Sequence, residues 1–328
     1  MDYGRLIGRA WAMTWTHHFL WVFGLFAASS VGSCSAGYGT GSGFRWPLAP
    51  GERAFLSPDG EPALRRLGFL IAQNLETVAL VAGLVLLLGL VFLLVSLVAQ
   101  GGMARATAEL ALGQPITPGA AWSTGLRLFW RYLLLWILAL LLALLVVLLG
   151  AVLFGAGFGL TRSIAGPPLL FVIEGATALL LLVVAFPLFV GLSVAITFAQ
   201  REIAVGEVGA FAALRMGFRL LWDHLGTTAL VWLLNLVLSI AAGVVVVLGV
   251  VLLAIPIGGL AVALYAVTDL SAALVVYLVA GGVALLAFGW LIGAIANTFF
   301  WNYWTLAYLN LTGRLTDTLE PPAEQPPA

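Results

Sequence analysis

Six stretches of the chain run almost without a charged side chain for long enough to cross a lipid bilayer as helices. They fall near residues 19–31, 78–99, 133–154, 169–198, 228–255 and 272–300. A hydrocarbon core of about 30 Å takes about twenty helical residues to cross. Inside it every backbone N–H and C=O must be paired within the protein, which restricts such runs to helices or closed barrels. The first run is the shortest and reaches across only if residues 15–18 belong to it. Composition agrees: 62% of the 328 residues are hydrophobic, 9% are charged, and mean hydropathy is +1.12, far from the values of soluble domains. The predicted fold is all-α, a polytopic transmembrane helix bundle of about six spans. It forms one integral membrane domain over residues 1–312, followed by a Pro-rich, disordered tail at 313–328.

The segment AWSTGLRLFWRYL at 121–133 returns as ALRMGFRLLWDHL at 213–225. Ala121, Gly125, Arg127, Leu128, Trp130 and Leu133 match Ala213, Gly217, Arg219, Leu220, Trp222 and Leu225. Each copy follows an Ala-Gln pair, Ala99-Gln100 or Ala199-Gln200, and leads into another apolar run. A fainter third copy opens the chain, where Trp11, Trp15 and His17 are spaced like Phe218, Trp222 and His224. The pattern predicts three pseudo-repeated hairpins.

On a helical wheel Trp122, Leu126, Phe129 and Leu133 share one face and Ser123, Arg127 and Arg131 another; Leu214, Phe218, Leu221 and Leu225 stand likewise against Arg215, Arg219 and Asp223. The segments at about 102–131 and 201–225 are therefore expected to be amphipathic and to lie at the cytoplasmic membrane surface. There Trp130 and Trp222 would sit at headgroup level, with Arg127, Arg131, Arg215 and Arg219 reaching lipid phosphates.

All fourteen cationic side chains are arginine, a bias that suggests a GC-rich bacterial genome. Nine of them, Arg105, Arg127, Arg201 and Arg219 included, fall on one side of the predicted topology, against Arg45, Arg53, Arg65, Arg66 and Arg162 on the other. The positive-inside rule then places both termini in the cytoplasm, with the protein in the bacterial inner membrane. Residues 32–66, rich in Gly, Ser and Pro, read as an extracytoplasmic loop. Val31-Gly32-Ser33-Cys34 resembles a lipoprotein cleavage box, but the long Trp-rich leader favours an uncleaved signal anchor. With Cys34 the single cysteine, an internal disulfide is excluded. A formal net charge of zero gives no basic field for nucleic acid.

Ionisable groups within apolar runs mark functional positions. Glu76, Glu174 and Asp269 stand near the outer ends of the even-numbered spans. They either ring a polar vestibule that takes a cation or a basic group, or lie at headgroup depth in contact with water. Gln100, Gln200 and Asn297 close the same spans on the inner side, and Asn235 lies within a run; all suit helix-to-helix hydrogen bonds. Pro187 interrupts the fourth run. Gly155 with Gly159, and Gly289 with Gly293, have the GxxxG spacing that lets helix backbones approach. Trp301, Tyr303, Trp304 and Tyr308 suggest an aromatic belt where the last helix leaves the bilayer.

Catalytic motifs do not emerge. His17, His18 and His224 form no HExxH pair, no histidine follows Gly191-Leu192-Ser193 within the later runs, and no phosphate-binding glycine loop stands at a strand–helix junction. The expectation is a non-enzyme without metal or cofactor.

The stretch AQREIAVGEVGAFAALRMGFRLLWDHLG at 199–226 resembles the signature of uncharacterised bacterial six-helix membrane proteins, related to the membrane domain attached to some glycerophosphodiester phosphodiesterases. Ala10-Trp11 with Trp15, Phe19-Leu20-Trp21 and Tyr303 to Tyr308 extend the likeness over most of the chain. The resemblance implies a hexahelical module; the phosphodiesterase domain is missing, so no catalytic residue carries over. Two functions are expected from these features: a non-enzymatic module that associates with membrane lipids or a membrane-protein partner, or a small transporter or channel with a path between hairpins.

Overall fold

In the computed structural model residues 2–27, 74–164, 167–268 and 272–315 are described, and among them the secondary structure is helical throughout. The predicted loop at 32–66, Cys34, Asp269, the side chains of Arg162 and Glu174, the surroundings of Gly159 and the tail beyond residue 315 lie outside what is described. In chain order the helices are α1 (Tyr3–Thr16), α2 (Phe19–Ala27), α3 (Leu75–Ala111), α4 (Pro118–Ile164), α5 (Pro167–Gly206), α6 (Ala210–Asp223), α7 (Leu225–Thr268) and α8 (Ala272–Leu311). Five of them contain stretches long and apolar enough to cross a membrane, namely Leu75–Ala111, Pro118–Gly155, Gly175–Gly206, Leu225–Val267 and Ala273–Leu311. The chain is a multi-pass membrane protein. Of the first apolar run only the part up to Ala27 is described, and it forms the nine-residue α2.

Local chemistry sets the helix ends. The Asp2 carboxylate caps α1 by accepting from Arg5 N at 3.2 Å. Thr117 caps α4 through Ala120 N, with Pro118 in the first helical position. α3 and α8 end on Gly113 and Gly313, whose φ values of 76° and 66° suit glycine. In both, the following amide reaches back five residues, Gln114 to Glu109 and Arg314 to Leu309, a Schellman closure. α1 and α6 are each fourteen residues long and each stops at a histidine, His17 or His224, whose backbone is no longer helical. In α4 the corresponding position is Tyr132, and the helix continues through it into the span. The segment before the third run is thus no separate surface helix: Arg127 to Leu133 are continuous with α4, without the Asp-His-Leu-Gly interruption found at 223–226.

Contacts divide the chain into Met1–Ala36 with Ser96–Ala328, and Gly37–Val95. In the second unit, residues 75–95 belong to α3 and carry an almost wholly apolar, exposed surface. In the first, buried side chains concentrate at one end of the helices, in 97–111, 121–139, 192–204, 210–217 and 294–309. The stretches beyond, represented by Leu145, Val183, Leu252 and Val276, expose most of their apolar side chains. A surface of that extent is untenable in water and natural among acyl chains.

Small residues set where helices meet. α6 crosses α5 at Gly217, where an added Cβ would stand 3.1 Å from Ala199 N and nearer still to Ala195 O. α4 crosses α3 at Gly125 over Val98 O and Gly102 N, and α2 crosses α8 at Gly24, where the same Cβ would meet Ala294 O at 2.5 Å and Thr298 Oγ1 nearer still. In all three the glycine faces the carbonyl of one residue and an atom of the residue four later, one turn along the partner helix. The buried face of α4 is Ala121, Gly125, Leu128, Tyr132, Leu135 and Ala139, while Leu126 is exposed; that of α6 is Ala210, Ala213, Leu214 and Gly217. Both are rotated from the bulky faces expected from the sequence, because close approach selects the small side chains. Gly155, Gly289 and Gly293 have open space about them, so the GxxxG spacing at 289–293 makes no close crossing among the described residues.

Candidate functional site

The end of the bundle that carries most of the arginines is tied together by polar side chains that would be costly to bury alone. Gln100 Oε1 accepts from Trp136 Nε1 at 3.2 Å and from Gln200 Nε2 at 3.5 Å, and Tyr132 donates to Gln200 O at 2.7 Å. Asn297 donates to Gly24 O at 2.6 Å. Asn302 donates to Thr14 and accepts from Thr107, joining α1, α3 and α8. Asn235 accepts from Trp304 Nε1 at 3.1 Å. Gln100, Gln200, Asn235 and Asn297 therefore link helices.

The aromatic group at 301–308 is not an exposed belt. Trp301, Tyr303, Trp304 and Tyr308 are buried, because the short N-terminal helices, α5 and α7 pack around the end of α8. Tyr303 donates to Val231 O, and Tyr308 to Glu202. Arg201, itself 3% exposed, stacks at 4.2 Å over Trp301 and donates to Gln200 Oε1 and Thr197 O. Among the described residues the exposed tryptophans are Trp11, Trp15, Trp130, Trp222 and Trp290.

The four arginines expected at the lipid surface divide into two pairs. Arg127 forms an ion pair with Glu207 at 2.8 Å, and Arg131 donates to the Glu207 carbonyl. Arg105 lies 3.8 Å from the same carboxylate and 2.5 Å from Glu109. Glu207 holds this cluster with a φ of 51°, a left-handed backbone unusual for glutamate. Trp130 is exposed beside it. On α6 the picture differs: Arg215 is exposed and makes no ion pair among the described residues, and Arg219 meets Asp223 at 3.5 Å with both side chains largely in solvent.

α6 has two unlike flanks. Phe218, Leu221, Trp222 and Leu225 roof an apolar cleft of about 680 Å³ walled by α5 from Val183 to Val194 and by α7 from Leu225 to Trp232. On the opposite flank Arg219, Leu220 and Asp223 border a smaller cleft of about 260 Å³ whose lining is mixed, with Glu202, Tyr308 and Thr312 beside Phe198 and Met216. Arg314 braces Glu202 at 3.0 Å. Phe211, Arg215 and Trp222 point outward between the two flanks.

Comparison with family models, with curated proteins and with solved structures finds no match to this chain.

Of the outer carboxylates, Glu76 is exposed in the first turn of α3. The side chain of Glu174 and all of Asp269 fall outside the described residues. Sequence reasoning passed over Glu202 and Glu207. The available signal was their position: two acids directly after an apolar run, in a chain with fourteen acids in all, beside a repeat rich in arginine.

Proposed function

We propose that this protein is a non-enzymatic module of the bacterial inner membrane that associates with phospholipid through α6. Its six spans form three related hairpins, and both termini face the cytoplasm. The observation that carries this reading is the orientation of α6. One flank is apolar over a cleft within the span region, the other carries Arg219 and Asp223 beside a cleft of mixed lining, and Arg215, without an ion pair among the described residues, stands outward with Trp222. A helix lying in the membrane plane has this distribution, with its cations at phosphate depth.

The first pair of arginines has a different role. Arg127 and Arg131 engage Glu207, so they fix the α5–α6 connection against α4, and the lipid contact narrows to Arg215 and Arg219. The three glycine crossings support the hairpin repeat, with α1 and α2 completing the unit to which α8 belongs. The six-helix family resemblance fits this reading and adds no reaction to it.

The test is lipid selection. In nanodiscs of mixed phosphatidylglycerol and phosphatidylcholine, wild-type protein enriches the anionic lipid in the shell that co-purifies with it. Replacing both arginines (Arg215→Gln with Arg219→Gln) removes the enrichment. Identical shells around wild type and the double variant would refute the reading.

A further inference from the structure

The apolar cleft under α6 asks for an occupant. Its α5 wall, residues 183–194, belongs to the span Gly175–Gly206, so the medium it opens to is hydrocarbon. At about 680 Å³ it lies within the size range of pockets that enclose small ligands. None of its lining residues is charged. Pro187 stands in the wall and cannot donate to the Val183 carbonyl one turn earlier, which locally loosens the helix at the cleft.

Arg215 and Arg219 stand on α6 outside the lining of the cleft. Arg215, Phe218 and Trp222 recur at helical spacing along one side of α6, and Leu225 opens α7. Phe218, Trp222 and Leu225 line the cleft, and Arg215 precedes them by a turn with no ion pair. Arg219 is the next residue toward the opposite flank. Its link to Asp223, at 3.5 Å with side chains 83% and 56% exposed, is of a kind that contributes little and yields readily to a phosphate.

We propose that this cleft seats one acyl chain of a single phospholipid, whose phosphodiester is held at the mouth by Arg215 and Arg219. The inference rests on the lipid reading of α6 and adds a defined position and a stoichiometry of one per chain. Charge complementarity selects the occupant: an apolar channel next to two available cations matches an anionic amphiphile. The α3–α4 crossing carries no equivalent arrangement among the described residues, since its arginines are bound to Glu207 and α4 runs on unbroken.

The experiment is native mass spectrometry of delipidated full-length protein titrated with phosphatidylglycerol, with a diacylglycerol of the same chains as the phosphate-free probe. Wild type retains one phosphatidylglycerol. Ala229→Trp, which fills the cleft from an exposed position on α7, lowers its occupancy at least tenfold, and Val184→Trp does so from the opposite wall. Leu230→Trp, exposed on α7 but outside the lining, binds as wild type does.

If both cleft variants hold lipid like wild type, or Leu230→Trp releases it equally, the cleft proposal is overturned. If they hold lipid while the double arginine variant still loses its preference for phosphatidylglycerol over diacylglycerol, the cleft fails and the headgroup reading survives. Should the arginine variant keep that preference while the cleft variants release lipid, the headgroup reading and the phosphodiester half of this proposal fall together.

Discussion

Replacing Gly217 by alanine isolates the close crossing on which the position of α6 depends. The added Cβ stands 3.1 Å from Ala199 N and closer to Ala195 O; both are backbone atoms that no rotamer change can move aside. Restoring ordinary contact requires α6 and α5 to part by roughly 1 Å, and a gap of that size forfeits about a quarter to a half of the attraction of each contact it opens. Ala210, Ala213 and Leu214 lose packing with it. Overpacking of this kind costs about 1–3 kcal/mol, against which alanine returns about 1 kcal/mol of helix propensity. The expected result is a net loss of up to about 2 kcal/mol.

Gly258→Ala is the control, since it lies inside α7 with nothing within 4 Å of its Cβ; it should gain up to about 1 kcal/mol. Unfolding titrated with dodecyl sulfate and followed by tryptophan fluorescence measures both. Gly24→Ala and Gly125→Ala should behave like Gly217→Ala. A Gly217→Ala protein as stable as Gly258→Ala would refute the argument, because the two helices would then not need to touch.

Three further outcomes are expected. Glu207→Gly should exceed Glu207→Ala in stability by about 1 kcal/mol in the same titration, since both lose the Arg127 pair but only glycine relieves the φ of 51°; equal stabilities would show that the backbone there is unstrained. Glu202→Gln should destabilise by less than the ~3–5 kcal/mol of a fully buried pair, because the Arg314 side chain keeps 38% exposure. Adding Arg314→Gln should recover part of the loss, and an additive double variant would contradict the pairing. For topology, cysteines placed at Arg127 and Arg219 in a Cys34→Ser background should react from the same side of the membrane with an impermeant maleimide, and labelling from opposite sides would break the proposed arrangement.

Hydropathy located the five described spans because lipid exposure demands unbroken apolar runs, and no tertiary partner is needed to read them. The hydrogen-bonding roles of Gln100, Gln200, Asn297 and Asn235 were legible for a related reason: an amide in an apolar run must bond to something. The packing faces were not. A helical wheel weights bulk, so it selected Leu126 and Phe129 where the contact runs through Ala121 and Gly125. The aromatics at 301–308 looked interfacial by composition and are interior, since nothing in that stretch announces that α1 and α2 return to cover it. Arg127 and Arg219 match in sequence and part in structure, because Glu207, lying outside either copy, pairs with Arg127, while Arg219 meets only Asp223 of its own helix.

Asn297 binds the carbonyl of Gly24 across 273 residues of chain. At roughly 5–20 residues per second of synthesis, the amino-terminal helices wait roughly 15 to 55 seconds for the last span to emerge. Until then Gly24 and Thr14 lack their partners on α8. Assembly in the cell therefore waits on α8, and a truncation that removes α8 leaves α1 and α2 without a berth.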